Sequence, residues 1–155
     1  MGPGPSNVSP RVLRALSQSL LSHMDPVFEE DVMDNVQEGL RMVFEADNAL
    51  TLPISGTGTA GMETALVNMI EPGDSVLMCA AGFFANRMGE IAERVGGKVT
   101  MLEGEWGRAF EPDEISRAID EHKPKVVGLV HVETSTGVAQ PLEPLREICG
   151  RDDII

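Results

Sequence analysis

The chain has 155 residues, 42% of them hydrophobic, with 25 acidic against 12 basic side chains and a net charge of −13. That length and apolar content suit one domain with a real core and exclude a disordered chain. The acidity excludes a nucleic-acid surface, which needs clustered Lys and Arg, and a face for an anionic membrane.

In chain order, Ser9 followed by Pro10 reads as an N-cap and first helical residue, and Val12, Leu13, Leu16 and Leu20 recur at helical spacing. Asp25 and Pro26 repeat the device, and Phe28, Val32, Val36, Leu40 and Val43 or Phe44 form an apolar stripe. Glu29, Glu30 and Asp31 suit the positive end of that helix. The pattern then changes to alternation. "ALTLPIS" predicts a strand, "TAGMETALVNMI" a helix, "SVLMC" a strand and "FFANRMGEIAERVGG" a helix ended by Gly96 or Gly97. "KVTMLE" predicts a strand, "EPDEISRAIDEH" a helix with Pro112 near its start, and "KVVGLVH" a strand buried on both faces. "PLEPLREIC" reads as a short helix, and the final "II" opens another strand, so the chain reads as the front part of a longer protein. Residues 1–48 are thus a helical segment, and residues 49–155 are an α/β unit with a mainly parallel sheet and helices on both faces.

Cys79 and Cys149 have no metal or redox spacing and read as small hydrophobes in a reducing compartment. The N-terminus lacks signal-peptide regions, and no apolar run is long enough to span a bilayer. A cytoplasmic protein is the expectation.

Parallel sheets collect ligands at the carboxyl ends of their strands. Three loops fall there: "SGTGTAG", "AAGFFANR" and "HVETSTG". In the first, Gly56, Gly58 and Gly61 spell G-x-G-x-x-G. A dinucleotide site needs an acid about 20 residues on, at the end of the next strand. Ala80, Ala81 and Gly82 stand there instead, and no Lys follows the glycines as a P-loop requires. A single phosphate at the helix start, with Thr57 and Thr59 adding hydroxyls, fits better; a plain tight turn is the alternative. Phe83 and Phe84 offer one ring for the core and one for a planar ligand. Glu133, Thr134, Ser135, Thr136 and Gly137 bring hydroxyls that either bond a polar ligand or cap a turn. His131 reads as a buried, satisfied histidine rather than a base. A flat, phosphorylated cofactor ring is the simplest ligand to use all three loops.

The ordered set "GPGPSNVSPRVL", "TLPISGTGTAGMETALVNMIEPGDSVL", "GFFANRM" and "HVETSTGVAQPL" resembles the class V aminotransferases, most of all the alanine–glyoxylate and serine–glyoxylate group. The resemblance runs from Gly2 to the end of the chain. It implies a fold-type I large domain, pyridoxal 5′-phosphate bound at a homodimer interface, and amino transfer between a small amino acid and a 2-oxo acid. It implies that Thr57, Gly58 and Thr59 form the phosphate turn, that Phe84 stacks on the pyridine ring, and that Thr134 lies near the phenolic oxygen. The run Gly2 to Pro5, with Gly4, would border the substrate pocket. The family's pyridine-nitrogen Asp, Schiff-base Lys and substrate-carboxylate Arg match no residue of this chain, so no catalytic residue is assigned. Lys98, Lys123 and Lys125 fall at strand starts, away from the ligand loops, and the chain by itself is expected to be inactive. The other readings are a cysteine desulfurase-like lyase of the same class and a non-catalytic phosphate-binding module.

Overall fold

The computed structural model describes residues 4–150 and 154–155. The chain divides into two compact units, residues 1–55 and 56–155.

In the first unit, α1 spans Pro10–Leu16, with Pro10 at the first helical position after Ser9. The helix stops short of Leu20, which is 98% exposed. The Ser17 hydroxyl donates to the Arg14 carbonyl at 2.8 Å, a local bond that competes with the next helical turn. The second helix starts where expected, because the Asp25 carboxylate accepts the Val27 N–H at 3.0 Å. Its first stretch, Val27–Met33, has wide π turns and runs into α2, Asp34–Phe44. At the junction the Asn35 side-chain amide donates to the Asp31 carbonyl, the acceptor that an α pattern would give the Asn35 backbone N–H. None of these helices buries a residue. The stripe stays uncovered: Phe28 and Leu40 are half-buried, while Val43 and Phe44 are exposed.

"ALTLPIS" forms no ladder among the described residues, so the predicted strand is not one. A strand is defined by its partner, and alternation alone cannot supply that.

The second unit opens with α3, Gly58–Met69, followed by β1, Ser75–Ala80, and α4, Phe83–Arg94. Then come β2, Lys98–Glu103, α5, Pro112–His122, and β3, Val126–Leu129. A hairpin of β4, Val132–Glu133, and β5, Val138–Ala139, precedes α6, Glu143–Cys149. The main sheet is parallel with order β2-β1-β3. Ile155 extends it: its N–H donates to the Lys125 carbonyl and its carbonyl accepts the Val127 N–H, both at 2.9 Å, as the expected strand start requires.

β1 is central, and that explains its run of apolar residues, buried from Val76 to Ala80. Val76 and Met78 face a core layer with Leu66, Ile70, Ile91 and Ala92. Leu77 and Cys79 face the other, with Phe110, Ile115, Ile119 and Leu145. Helices α3 and α4 cover one side, α5 and α6 the other. The fully buried strand is therefore β1; in β3, buried and half-buried residues alternate. Burial pushes the Cys79 thiol up to about 12, with nearby Cys149 adding to the shift.

Helix α5 starts with a capping box in which the Glu111 N–H donates to the Glu114 carboxylate at 2.8 Å, and Arg108 clasps that carboxylate at 2.8 and 3.0 Å. No helix among the described residues is long and apolar enough to cross a membrane.

Candidate functional site

The turn 70–74 reverses the chain between α3 and β1, and α3 packs on β1 through Leu66 and Ile70. Helix α3 must run antiparallel to β1, so its start lies at the carboxyl end of the strands. Thr57 and Gly58 are exposed there and Thr59 is half-buried. Thr57 is the N-cap residue, yet its side chain makes no capping bond. Its carbonyl accepts the Ala60 and Gly61 N–H groups at 2.9 and 3.2 Å. The N–H groups of Gly58 and Thr59 and the hydroxyls of Thr57 and Thr59 find no acceptor among the described residues. This is an open, donor-lined helix start.

Helix α4, beside α3, is the opposite case. It begins after Gly82, with no capping side chain of its own and no acid in its first turn. Its N–H groups are taken by the hairpin. The Ser135 hydroxyl accepts the Phe83 N–H at 3.0 Å, and Glu133 Oε2 accepts those of Phe84 and Ala85 at 3.0 and 3.2 Å. Glu133 Oε1 accepts the Ser135 N–H at 3.2 Å and the Ser135 hydroxyl at 2.6 Å. Glu133 is 5% exposed. Burial alone would push its carboxyl up, but the Ser135 hydroxyl and the three N–H donors outweigh that and hold it below the ordinary glutamate value. It is ionised at neutral pH.

Gly82 makes this contact sterically feasible. A Cβ there would stand 2.3 Å from Glu133 Cγ. The hairpin turn closes with the Gly137 N–H on the Glu133 carbonyl at 2.8 Å, and Gly137 adopts φ +76°, which favours glycine.

Glu133 therefore brings together the elements carrying Phe84 and Thr134. Phe84 is half-buried and Phe83 exposed; their rings meet edge to face at 5.4 Å, and neither joins the core. Thr134 is half-buried and its hydroxyl has no partner among the described residues. Thr136, by contrast, caps the turn, donating to the Glu133 carbonyl at 3.3 Å. His131 is satisfied, as expected, but exposed rather than buried: its Nδ1 lies 2.9 Å from the Gln140 carbonyl oxygen. Gly4 belongs to the first unit, and Gly2 and Pro3 of the expected substrate segment lie outside the described residues.

Two residues of this region escaped the sequence reading. Glu133 was one residue in a polar loop, although a helix start with no local cap, "AAGFFANR", signals that a remote acceptor is needed. Gln140 is buried and bonds both backbone groups of Phe110, accepting its N–H at 2.8 Å and donating to its carbonyl at 3.1 Å. The space behind the hairpin, between Cys79, Ala85, Phe110 and Gln140, has a volume of about 20 Å³, room for a water and no more.

The lysines are elsewhere. Lys98 opens β2, and Lys123 follows α5. Lys125 precedes β3 and pairs with Asp74 at 2.7 Å. All three are at the amino ends of the strands.

The family model for class-V aminotransferases matches residues 2–155. The chain is 45% identical over its full length to the (S)-ureidoglycine–glyoxylate transaminase of Bacillus subtilis, covering 37% of that protein. It is 43% identical over 151 residues to the alanine–glyoxylate aminotransferase of Rattus norvegicus, which is 97% of this chain and 36% of that one. The crystal structure of the alanine–glyoxylate aminotransferase from Nostoc sp. superposes with a TM-score of 0.96 at 45% identity, over 99% of this chain and 41% of that one. The chain thus spans little more than a third of the length of the curated relatives it matches. The expected fold, α/β with a parallel sheet as in the fold-type I large domain, is the fold of these structures. From Gly2 to Ile155, this chain belongs to the class-V aminotransferase family.

Proposed function

We propose that this chain is the cofactor-holding part of a pyridoxal 5′-phosphate-dependent aminotransferase that moves an amino group from alanine or serine to glyoxylate. Family membership supports the reaction class. The names of all three relatives above contain glyoxylate, which supports it as the acceptor. The observation that carries the reading is the open start of α3, with unpartnered donors at Gly58 and Thr59, at the same sheet end as Phe84 and Thr134. In this reading residues 1–48 are an N-terminal helical segment and residues 49–155 part of the large domain. Gly4 borders the substrate pocket, and the whole protein acts as a cytoplasmic homodimer without nucleic-acid or membrane partners.

The residues fit the group. The Gly58 and Thr59 N–H groups, with the Thr57 and Thr59 hydroxyls, hold the phosphate at the positive end of α3. The Phe84 ring, braced edge-on by Phe83, would cover one face of the pyridine ring and keep water off it. The Thr134 hydroxyl would be the donor for the phenolic oxygen. When bound, the cofactor supplies the electron sink that lets bonds to an amino acid's α-carbon break. Lys98, Lys123 and Lys125 stand at the wrong end of the sheet to bond to it, so the 155-residue chain alone is catalytically silent.

Equilibrium dialysis of pyridoxal 5′-phosphate against this chain tests the reading. Removing one hydrogen bond to a charged group costs roughly 1.5–3 kcal/mol, so Thr57→Ala and Thr59→Ala should each weaken binding by roughly tenfold or more. Unchanged affinity in both variants contradicts the phosphate site. Stoichiometric borohydride trapping of the cofactor on Lys98, Lys123 or Lys125 contradicts the placement.

A further inference from the structure

We propose that Glu133 is the positioning residue of this site: its buried carboxylate is the built-in anion of α4, sets Phe84 and Thr134 in one register, and leaves the start of α3 to the cofactor's phosphate. The proposal rests on the cofactor reading above and assigns a role to a residue that does not itself touch the ligand.

Two helix starts, of α3 and α4, lie at the ligand end of the sheet, and both attract anions. At α4 the N–H groups of the first three helical residues are already engaged, Phe83 by Ser135 and Phe84 and Ala85 by Glu133, and the Asn86 N–H makes the first intrahelical bond, to the Gly82 carbonyl at 3.2 Å. The carboxylate that engages them is 5% exposed and accepts four hydrogen bonds between 2.6 and 3.2 Å. At α3 the Gly58 and Thr59 N–H groups have no acceptor among the described residues. A ligand phosphate therefore meets free donors at α3 and a fixed negative charge at α4.

The same carboxylate sets geometry. It holds the backbone N–H of the residue bearing the stacking ring, and its own chain neighbour is Thr134. The Ser135 hydroxyl adds a relay, accepting from Phe83 and donating to Glu133. The bridge joins segments 48 and 49 residues apart in sequence. Loss of the bridge should disturb the ring contacts while sparing the phosphate grip.

The test uses the whole 155-residue chain and two probes, pyridoxal 5′-phosphate and inorganic phosphate. In Glu133→Gln one acceptor oxygen becomes an NH2 group, so the side chain can no longer accept from Ser135 and from Phe84 and Ala85 together, and the charge is gone. Affinity for pyridoxal 5′-phosphate should fall roughly tenfold while affinity for inorganic phosphate stays within about twofold. Hydrogen exchange at the Phe83, Phe84 and Ala85 amides should speed up. In Ser135→Ala, which keeps the charge and the fold, the affinity loss should be roughly threefold. In Glu133→Ala, formate should restore slow exchange at Phe84 and formamide should not, a difference that a packing role would not produce.

Equal loss of both ligands in Glu133→Gln, or equal rescue by formamide, overturns the proposal in favour of a merely structural role. Wild-type affinity for pyridoxal 5′-phosphate in Glu133→Gln, with Thr57→Ala and Thr59→Ala still impaired, overturns the Glu133 assignment alone. A wild-type chain that binds neither probe overturns the cofactor reading, and the ring-positioning role with it.

Discussion

Gly82→Ala isolates the contact that organises the site. Gly82 has φ 176°, extended backbone that any residue adopts, so the substitution brings no conformational strain. The effect is all contact. The new Cβ would stand 2.3 Å from Glu133 Cγ, 2.5 Å from Cδ and 2.8 Å from Oε2. Carbon atoms at rest keep about 3.5–4.0 Å apart, so the carboxylate must retreat by about 1 Å. Its bonds to the Phe84 and Ala85 N–H groups, now 3.0 and 3.2 Å, would then pass out of hydrogen-bond range. Two charge-assisted bonds at roughly 1.5–3 kcal/mol each set the upper limit, and rehydration of the freed groups offsets part of it. A net loss of about 3 kcal/mol follows, or a fall of roughly 6–12 °C in Tm for a chain of this size. Urea unfolding followed by circular dichroism measures it, with an unchanged slope expected if only the native state is affected. The partner is identified by a double-mutant cycle. Glu133→Ala removes the same interaction, so Gly82→Ala combined with Glu133→Ala should cost about 2 kcal/mol less than the sum of the two. A loss below about 1 kcal/mol, or additive costs, refutes the reasoning.

Other perturbations test separate links. Gln140→Leu leaves the buried Phe110 N–H and carbonyl without their partner and should cost roughly 2–4 kcal/mol by urea unfolding. Arg108 holds the Glu114 carboxyl at about 2, below its ordinary 4.5. A lowered folded value means stability that is complete above about pH 4.5 and lost as pH falls through about 2; Arg108→Ala should flatten that acid limb of the urea midpoint against pH. Cys79, buried with its thiol pushed up to about 12, should stay unmodified by a maleimide at pH 7 until the chain unfolds, as mass spectrometry of its peptide would report. A net charge of −13 repels a phosphorylated cofactor at long range, so raising salt should speed its association in stopped flow; slower association would place a basic funnel at the site.

The sheet and its covering helices were legible because their signals are local. The unbroken apolar run in "SVLMC", Pro112 at the start of α5 and Gly96 after α4 each act within a turn or a strand. The errors occur where a partner decides the outcome. "ALTLPIS" has a strand's composition and no ladder, and the first helix ends early because the Ser17 hydroxyl takes the Arg14 carbonyl. The apolar run "KVVGLV" reads as buried on both faces, yet its residues alternate between buried and half-buried, because strand order makes β1 central and order is not written in any one strand. At the candidate site, Thr57 and Thr59 stand out in the sequence as hydroxyl residues among glycines at a helix start, and Phe84 and Thr134 as residue types beyond strand ends. Glu133 does not, since its meaning lies in amides 49 and 48 residues away in the chain. The short β4–β5 hairpin left a faint trace in the glycine that closes "TSTG", a loop length that hairpins use.

If the proposed function holds, the start of α3 takes the cofactor's phosphate while Phe84 and Thr134 meet its ring. Titrating the isotope-labelled chain with pyridoxal 5′-phosphate and following backbone amide chemical shifts tests it directly. The largest saturable shifts should fall on Gly58 and Thr59, with a second set at Phe84 and Thr134, and inorganic phosphate should reproduce only the first set. Shifts centred on another surface, or a first set that persists unchanged in Thr57→Ala and Thr59→Ala, would contradict it.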